Sequence, residues 1–322
     1  MRTEVVDIPM ITRFRRVTRR RAVLVQGAAG WGEFSPFPDY GPAVTRWWWA
    51  SAQEAASEGW PTPLRDRVPV NTTVPAVDPQ TAHRMVLASG CRSAKVKVAD
   101  PGQTLAEDTA RVEAVRDALG PDGHLRVDAN GAWDVDAAVR ALRVLDRAAK
   151  GLEYAEQPCA TLEEMAAVRR RLDVRLAADE SVRTAADPLR VAGLEAADII
   201  VIKVQPLGGV RRALAVIEAA GLPAVVSSAL ETSVGLAAGI ALAAALPQLP
   251  HACGLGTVTL LAGDVSSDPL TPVDGHVAVR SVTPDEDLLQ RWAAADPERE
   301  LDRYRAAAAA VGAAVAEEGG LR

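Results

Sequence analysis

Six positions carry the chemistry this chain can do. Lys97, Asp128, Glu156, Asp179, Lys203 and Ser227 lie toward the ends of the apolar runs Ser93–Val98, Leu125–Asn130, Leu152–Pro158, Leu176–Ser181, Ile199–Val204 and Ala224–Ser228. Lys95 and Ser228 stand beside them. Successive intervals from Lys97 to Ser227 are 31, 28, 23, 24 and 24 residues, each close to one strand, one helix and two loops. Such a repeat predicts an α/β fold, a (β/α) barrel of TIM type, in which reacting groups occupy the C-terminal ends of successive strands.

Three of those ends bear carboxylates. Side by side, Asp128, Glu156 and Asp179 would repel one another unless a cation joined them. An all-oxygen set with room for water and substrate suits Mg²⁺, with Mn²⁺ as a substitute, rather than Zn²⁺. Separate ion pairs on a barrel rim are the plainer alternative, and three acids in sequence argue against it. Lys95 and Lys97 are two apart on a strand and so share a face. Lys203 lies further round. An ammonium beside another ammonium and a dication is disfavoured, which lowers its pKa and makes it a usable general base. A dication with poised lysines suits removal of a proton next to a carboxylate, because the enediolate that forms is stabilised by the surrounding positive charge.

The elements that must hold these groups follow from the apolar patterning. Val68–Val74 (VPVNTTV) predicts the first barrel strand, and a last strand is expected near His251–Gly254. Between them, Thr81–Ala88, Leu105–Leu119, Val135–Ala148, Leu162–Leu172, Pro188–Ala192, Val210–Ala219 and Ser233–Leu246 read as helices. The strands are continuous apolar runs, as a parallel sheet buried on both faces requires. Residues 1–66 break the rhythm. Arg21–Gln26 and Gly30–Phe34 read as strands across a Gly-Ala-Ala-Gly turn, and a helix is expected from Val44 to Glu58. Trp47, Trp48 and Trp49 cannot all face one way, so at least one should meet another domain. The irregular stretch after Asp264 suggests a return to the first unit. The expected organisation is an α+β capping domain, 1–66 plus about 266–322, and a barrel over 67–265.

Composition narrows the partners. The 322-residue chain is 48% apolar and 24% charged, which predicts a folded protein with a large core. A net charge of −6 argues against nucleic acid or an anionic membrane. The start lacks the pattern of a secretory signal, and Val234–Leu246 is too short to span a bilayer. Cys91, Cys159 and Cys253 are scattered and odd in number, as reduced thiols of a cytoplasmic protein would be. Six arginines fall within Arg13–Arg21. They read as a solvated strand and turn, or as a flap offering positive charge to an anionic substrate.

The motifs K-V-K at 95–97, D-A-N at 128–130, E-Q-P at 156–158, A-D-E-S at 178–181 and K-V-Q-P-L-G-G at 203–209 resemble the muconate-lactonizing subgroup of the enolase superfamily, over about residues 68–265. Ser227–Leu236 and the G-L-G-T run at 254–257 are most similar to its dehydrating members. The resemblance implies a Mg²⁺-dependent syn dehydration of a small succinyl-bearing cyclohexadiene carboxylate, a step of menaquinone biosynthesis. It also implies the roles. Lys97 removes the α-proton and protonates the leaving hydroxyl, Lys203 is a fixed cation on the opposite face, and Lys95 sits beside the substrate carboxylate. Asp128, Glu156 and Asp179 hold the metal, with Asn130 behind them. Ser227, Ser228 and the backbone at Gly254 line the pocket for the succinyl tail.

Residues 10–20 and 36–45 are the expected covering flaps, and a monomer is the expected state. N-succinylamino-acid racemisation needs the same opposed lysines and stays open. Dipeptide epimerisation is disfavoured because His251–Thr257 has no acid. A mandelate-racemase-type base would be a histidine where Ser227 and Ser228 stand. A silent barrel would have lost a ligand or a lysine, and none is missing. The glycines at 208–209 and at 254 and 256 give only a weak phosphate-site signal.

Overall fold

The computed structural model describes residues 2–14, 17–183 and 189–319. Its N-terminal unit is an antiparallel sheet in which β1 (Arg2–Phe14) pairs with β2 (Val17–Gln26), and β2 with β3 (Trp31–Phe34). Sequence patterning does not reveal β1, since Asp7 and Pro9 interrupt its apolar residues. Its partner strand makes it a strand. The helix Pro42–Ser57 lies directly on this sheet, and a Cβ at Gly32 would come 2.0 Å from the Ala52 carbonyl oxygen. The helix Glu298–Gly319 returns beside it, burying Ala307 with Val5, Val23, Phe34 and Trp48. Of the three tryptophans, Trp48 joins this core and Trp49 packs near Tyr304. Trp47 reaches the barrel, where the Arg212 guanidinium stacks 3.6 Å from its ring centroid.

Eight strands follow before the C-terminal part: β4 (Arg67–Pro69), β5 (Thr72–Val74), β6 (Ser93–Lys97), β7 (His124–Asp128), β8 (Tyr154–Glu156), β9 (Leu176–Ala178), β10 (Ile199–Ile202) and β11 (Ala224–Val226). From β5 to β11 they form one parallel sheet in sequence order. Helices Pro79–Ser89, Leu105–Leu119, Val135–Ala149, Leu162–Arg169, Val210–Ala220 and Ser233–Ala245 connect the strands or follow the last. Five of them start on side-chain caps: Asp78, Thr104, Asp134, Thr161 and Thr232 each accept a backbone N–H of the first turn. Thr104 with Glu107, and Thr161 with Glu164, complete capping boxes. The architecture is a modified TIM barrel with a cap. Among the described residues no helix is long and apolar enough to cross a membrane.

Three expectations need correction. The predicted first strand is two: β4 pairs antiparallel with β12 (His276–Ala278), and only β5 enters the barrel. Proline at 69 lacks the donor that a continuous central strand needs. The expected eighth strand contracts to Cys253 and Gly254, which bridge Val70 and Ser227 and close the barrel through Cys253 N–H to Pro69 O at 2.7 Å and Gly254 N–H to Val226 O at 2.8 Å. The other strands stop short of their predicted ends. Asn130 (φ 45°) and Gln157 (φ 39°) turn the chain off the sheet, and Lys203 is the residue before a one-turn helix, Val204–Leu207. The helix expected at Pro188–Ala192 lies partly outside the described residues, and a single turn, Arg190–Gly193, is seen.

Candidate active site

Strand register assembles the site. Lys97 faces Asp128 across β6 and β7, and Asp128 faces Glu156 across β7 and β8. Residues in register on parallel strands project to the same side, so these three side chains share one surface. Glu156 pairs with Ala177, so Asp179, two residues on, has the same parity. Ile199 pairs with Ala177 and Val201 with Val225, which puts Lys203 and Ser227 in that series too. Lys95, Lys97, Asp128, Glu156, Asp179, Lys203, Ser227 and Ser228 are all buried.

The charges interlock. Lys95 Nζ donates to Glu156 Oε1 at 2.6 Å and stands 3.6 Å from Asp128 Oδ2. Lys97 Nζ is 3.8 Å from Asp128 Oδ1, too long for a hydrogen bond. Lys203 Nζ donates to Asp179 Oδ2. Asn130 donates its backbone N–H to Asp128 Oδ1 at 3.0 Å and its amide to Glu180 Oε1 at 3.1 Å. Ser228 Oγ lies 2.5 Å from Thr257 Oγ1, and Ser227 bridges Gly254, where a Cβ would meet Ser227 Oγ at 2.6 Å.

With ammonium groups standing among them, the three carboxylates do not converge on one point. Among the described residues no three acidic, histidine or cysteine side chains are grouped as an ion's ligands would be. The electrostatics nonetheless favour added positive charge. Burial pushes the Glu156 carboxyl up to about 7, and Asp128 and Asp179 push the same way against the relief from Lys95. Glu156 Oε2 is buried without a hydrogen-bond partner. These hard oxygen donors on adjacent strands fit a divalent cation. Lys95 departs from the lowered pKa expected of a crowded ammonium. Burial would lower it, but Glu156 and Asp128 outweigh burial and hold it charged.

Several lining residues are not marked individually by the sequence, although Phe37 lies within the flap expected at 36–45, and Ala229, Leu230 and Thr257 within the motifs at 227–236 and 254–257. Phe37, Thr73, Ala229, Leu230 and Thr257 enclose, with the charged groups, a cavity of about 30 Å³. That is about the volume one water takes up in the liquid. Thr73 pairs with Lys95 across β5 and β6, and counting strand parity from Lys95 would have found it. Gln157 was also missed. Its side-chain oxygen accepts the N–H of Asp179 at 2.9 Å and of Ser181 at 3.2 Å, fixing the loop that carries Asp179. A larger cavity, about 410 Å³ and lined by Trp31, Trp60 and Ala237, lies apart from these charges. In the arginine run, Arg19 and Arg21 pair with Asp7 at 2.9 and 3.1 Å, as a solvated strand would. Arg15 and Arg16 lie outside the described residues.

Comparison with known proteins agrees with this architecture. The family described as enolase C-terminal domain-like matches residues 79–287, and enolase N-terminal domain-like matches residues 5–56. An o-succinylbenzoate synthase of Thermobifida fusca is 64% identical over 282 residues, covering 88% of each chain. One of Mycolicibacterium smegmatis is 52% identical over 305 residues, covering 94% of each. Among solved structures, the muconate lactonizing enzyme of Pseudomonas fluorescens superposes with a TM-score of 0.77 at 23% identity, covering 91% of this chain and 98% of that one.

Proposed function

The chain belongs to the enolase superfamily, and on that premise we propose that it forms o-succinylbenzoate by syn loss of water from 2-succinyl-6-hydroxy-2,4-cyclohexadiene-1-carboxylate. The observation that carries this is the 64% identity to a synthase of that name over most of both chains.

The residues divide the work by how they are held. Lys95 is tied to Glu156 and Asp128 and stays protonated, so it serves as fixed positive charge beside the substrate carboxylate. Lys97 Nζ is buried with no hydrogen-bond partner, which suits it to take up and give back a proton. It removes the proton α to the ring carboxylate and returns it to the hydroxyl leaving from the same face. Lys203 follows β10, on the far side of the carboxylate strands from β6, and its bond to Asp179 suits a stationary cation facing the developing charge. A racemase would need both lysines to carry protons, and only Lys97 lacks such a bond. Asp128, Glu156 and Asp179 would hold Mg²⁺, or Mn²⁺ in its place. When bound, the dication supplies Lewis-acid charge against the substrate carboxylate. The charge balance supports it: with Lys97 neutral as the base, two ammonium groups face three carboxylates and a dianionic substrate, an excess of negative charge that a divalent ion would reduce. Ser227, Ser228 and Gly254 would receive the succinyl tail.

An absorbance assay for loss of the cyclohexadiene, run with Mg²⁺ and with chelator beside an N-succinylamino-acid racemisation assay, tests the reading. Metal-dependent dehydration without racemisation is expected. Racemisation with no dehydration would replace the substrate named here.

A further inference from the structure

Arg20 is turned inward from the arginine run and is 3% exposed. Its Nε donates to the Leu230 carbonyl at 3.0 Å and its Nη2 to the Ser35 carbonyl at 2.5 Å, while its guanidinium stacks 4.7 Å from the Phe37 ring centroid. Burying a guanidinium is costly, and this one is spent on carbonyl oxygens, with Glu33 and Glu231 supplying countercharge at longer range. What it grips is informative. Phe37 and Leu230 are the apolar walls of the cavity that holds Lys95, Asp128 and Lys203. Leu230 has φ +66°, a conformation that a leucine rarely adopts unless its surroundings impose it. Around it, Ala229 N–H donates to Glu231 Oε2 at 2.6 Å and Leu230 N–H to Ser228 Oγ at 3.3 Å. Ser35 in turn exchanges two hydrogen bonds of 3.2 Å with the side chain of Gln205, two residues beyond Lys203.

We propose that Arg20 is a positioning residue for the substrate. From the cap sheet it fixes Phe37 and Leu230 as the two walls that hold the apolar ring and methylene chain of the succinyl-bearing carboxylate against the lysines. The inference rests on the dehydration reading given above. The walls would touch ground state and transition state alike, so their displacement weakens binding more than it slows the chemical step.

The test compares Arg20→Lys and Arg20→Met with the wild type, whose dehydration is measured first. KM is expected to rise about tenfold or more with kcat kept within about threefold, in variants that still melt cooperatively above the assay temperature. A lysine keeps the charge but lacks the fork that grips two carbonyls, so it should not rescue. A lowered kcat at unchanged KM marks loss of folded protein and overturns the proposal, as does no change in either constant. If neither variant folds, Phe37→Leu and Leu230→Ala carry the test, and an unchanged KM in both overturns it. A wild type that turns over but whose Arg20 variants behave normally refutes only the Arg20 role. A wild type without turnover removes the premise and the proposal together.

Discussion

Lys95 Nζ lies 2.6 Å from Glu156 Oε1, so one lysine occupies an oxygen of the central carboxylate of the site. A divalent cation held by Glu156, as proposed, would therefore compete with an ammonium. Titrating Mg²⁺ into the chelated protein should raise its melting temperature, with stabilisation near 2.7 kcal/mol at a hundredfold excess over Kd. Glu156→Gln should lose most of that rise. A melt indifferent to Mg²⁺ and Mn²⁺ would sink the carboxylate assignment.

Lys97 and Lys203 should be separable from the fold. Lys97→Ala and Lys203→Ala are each expected to lower kcat by about 10³-fold or more, with unchanged circular dichroism. Lys95→Met differs, because it strands Glu156 in the interior and should cost roughly 3 kcal/mol in urea unfolding. Near-normal turnover in either alanine variant would remove the proposed division of roles.

Glu33 gives the stability a pH dependence. It is buried, and burial with the nearby Glu231 pushes its carboxyl up to about 7 from 4.5. The folded state thus holds this proton more tightly than the unfolded chain does. Its contribution is fully present below about 4.5, declines as pH rises through 7, and amounts to roughly 3 kcal/mol at 1.36 kcal/mol per pH unit. Urea unfolding from pH 5 to 8 should show that decline in the wild type and a flatter profile in Glu33→Gln. Parallel profiles would contradict it.

Glu54 joins the two units from the helix Pro42–Ser57. It accepts the N–H of Val210 at 2.5 Å and of Arg211 at 3.1 Å, capping a barrel helix across the domain boundary. Glu54→Ala should cost about 2 kcal/mol. Gly209 has φ +126°, and a Cβ there would sit 2.1 Å from Glu54 Oε2. Gly209→Ala should therefore also destabilise, and the double variant should lose less than the two separate costs combined. Additive losses would show that the residues act apart.

The barrel is legible locally because each strand is a short apolar run and each connection a helix with its own cap. The carboxylates and lysines are legible for a related reason: alternation along a strand fixes which residues share a face, whatever lies beyond. The cap was harder to read. Nothing near Asp7 or Pro9 marks β1, whose strand character comes from Val17–Gln26.

By itself, then, the sequence determined which side chains face the barrel mouth and in what order, because strand parity and spacing are local properties. Only the tertiary structure decided which charges meet. Lys95 finds Glu156 across 61 residues, Glu33 finds Thr232 across 199, and Arg20 finds Leu230 across 210. Strand alternation puts Arg20 on the face opposite Arg19 and Arg21, which point to Asp7, but only packing makes that face the buried one. Burial and partner identity arise when sheet and barrel pack together, and at that separation only packing can set them.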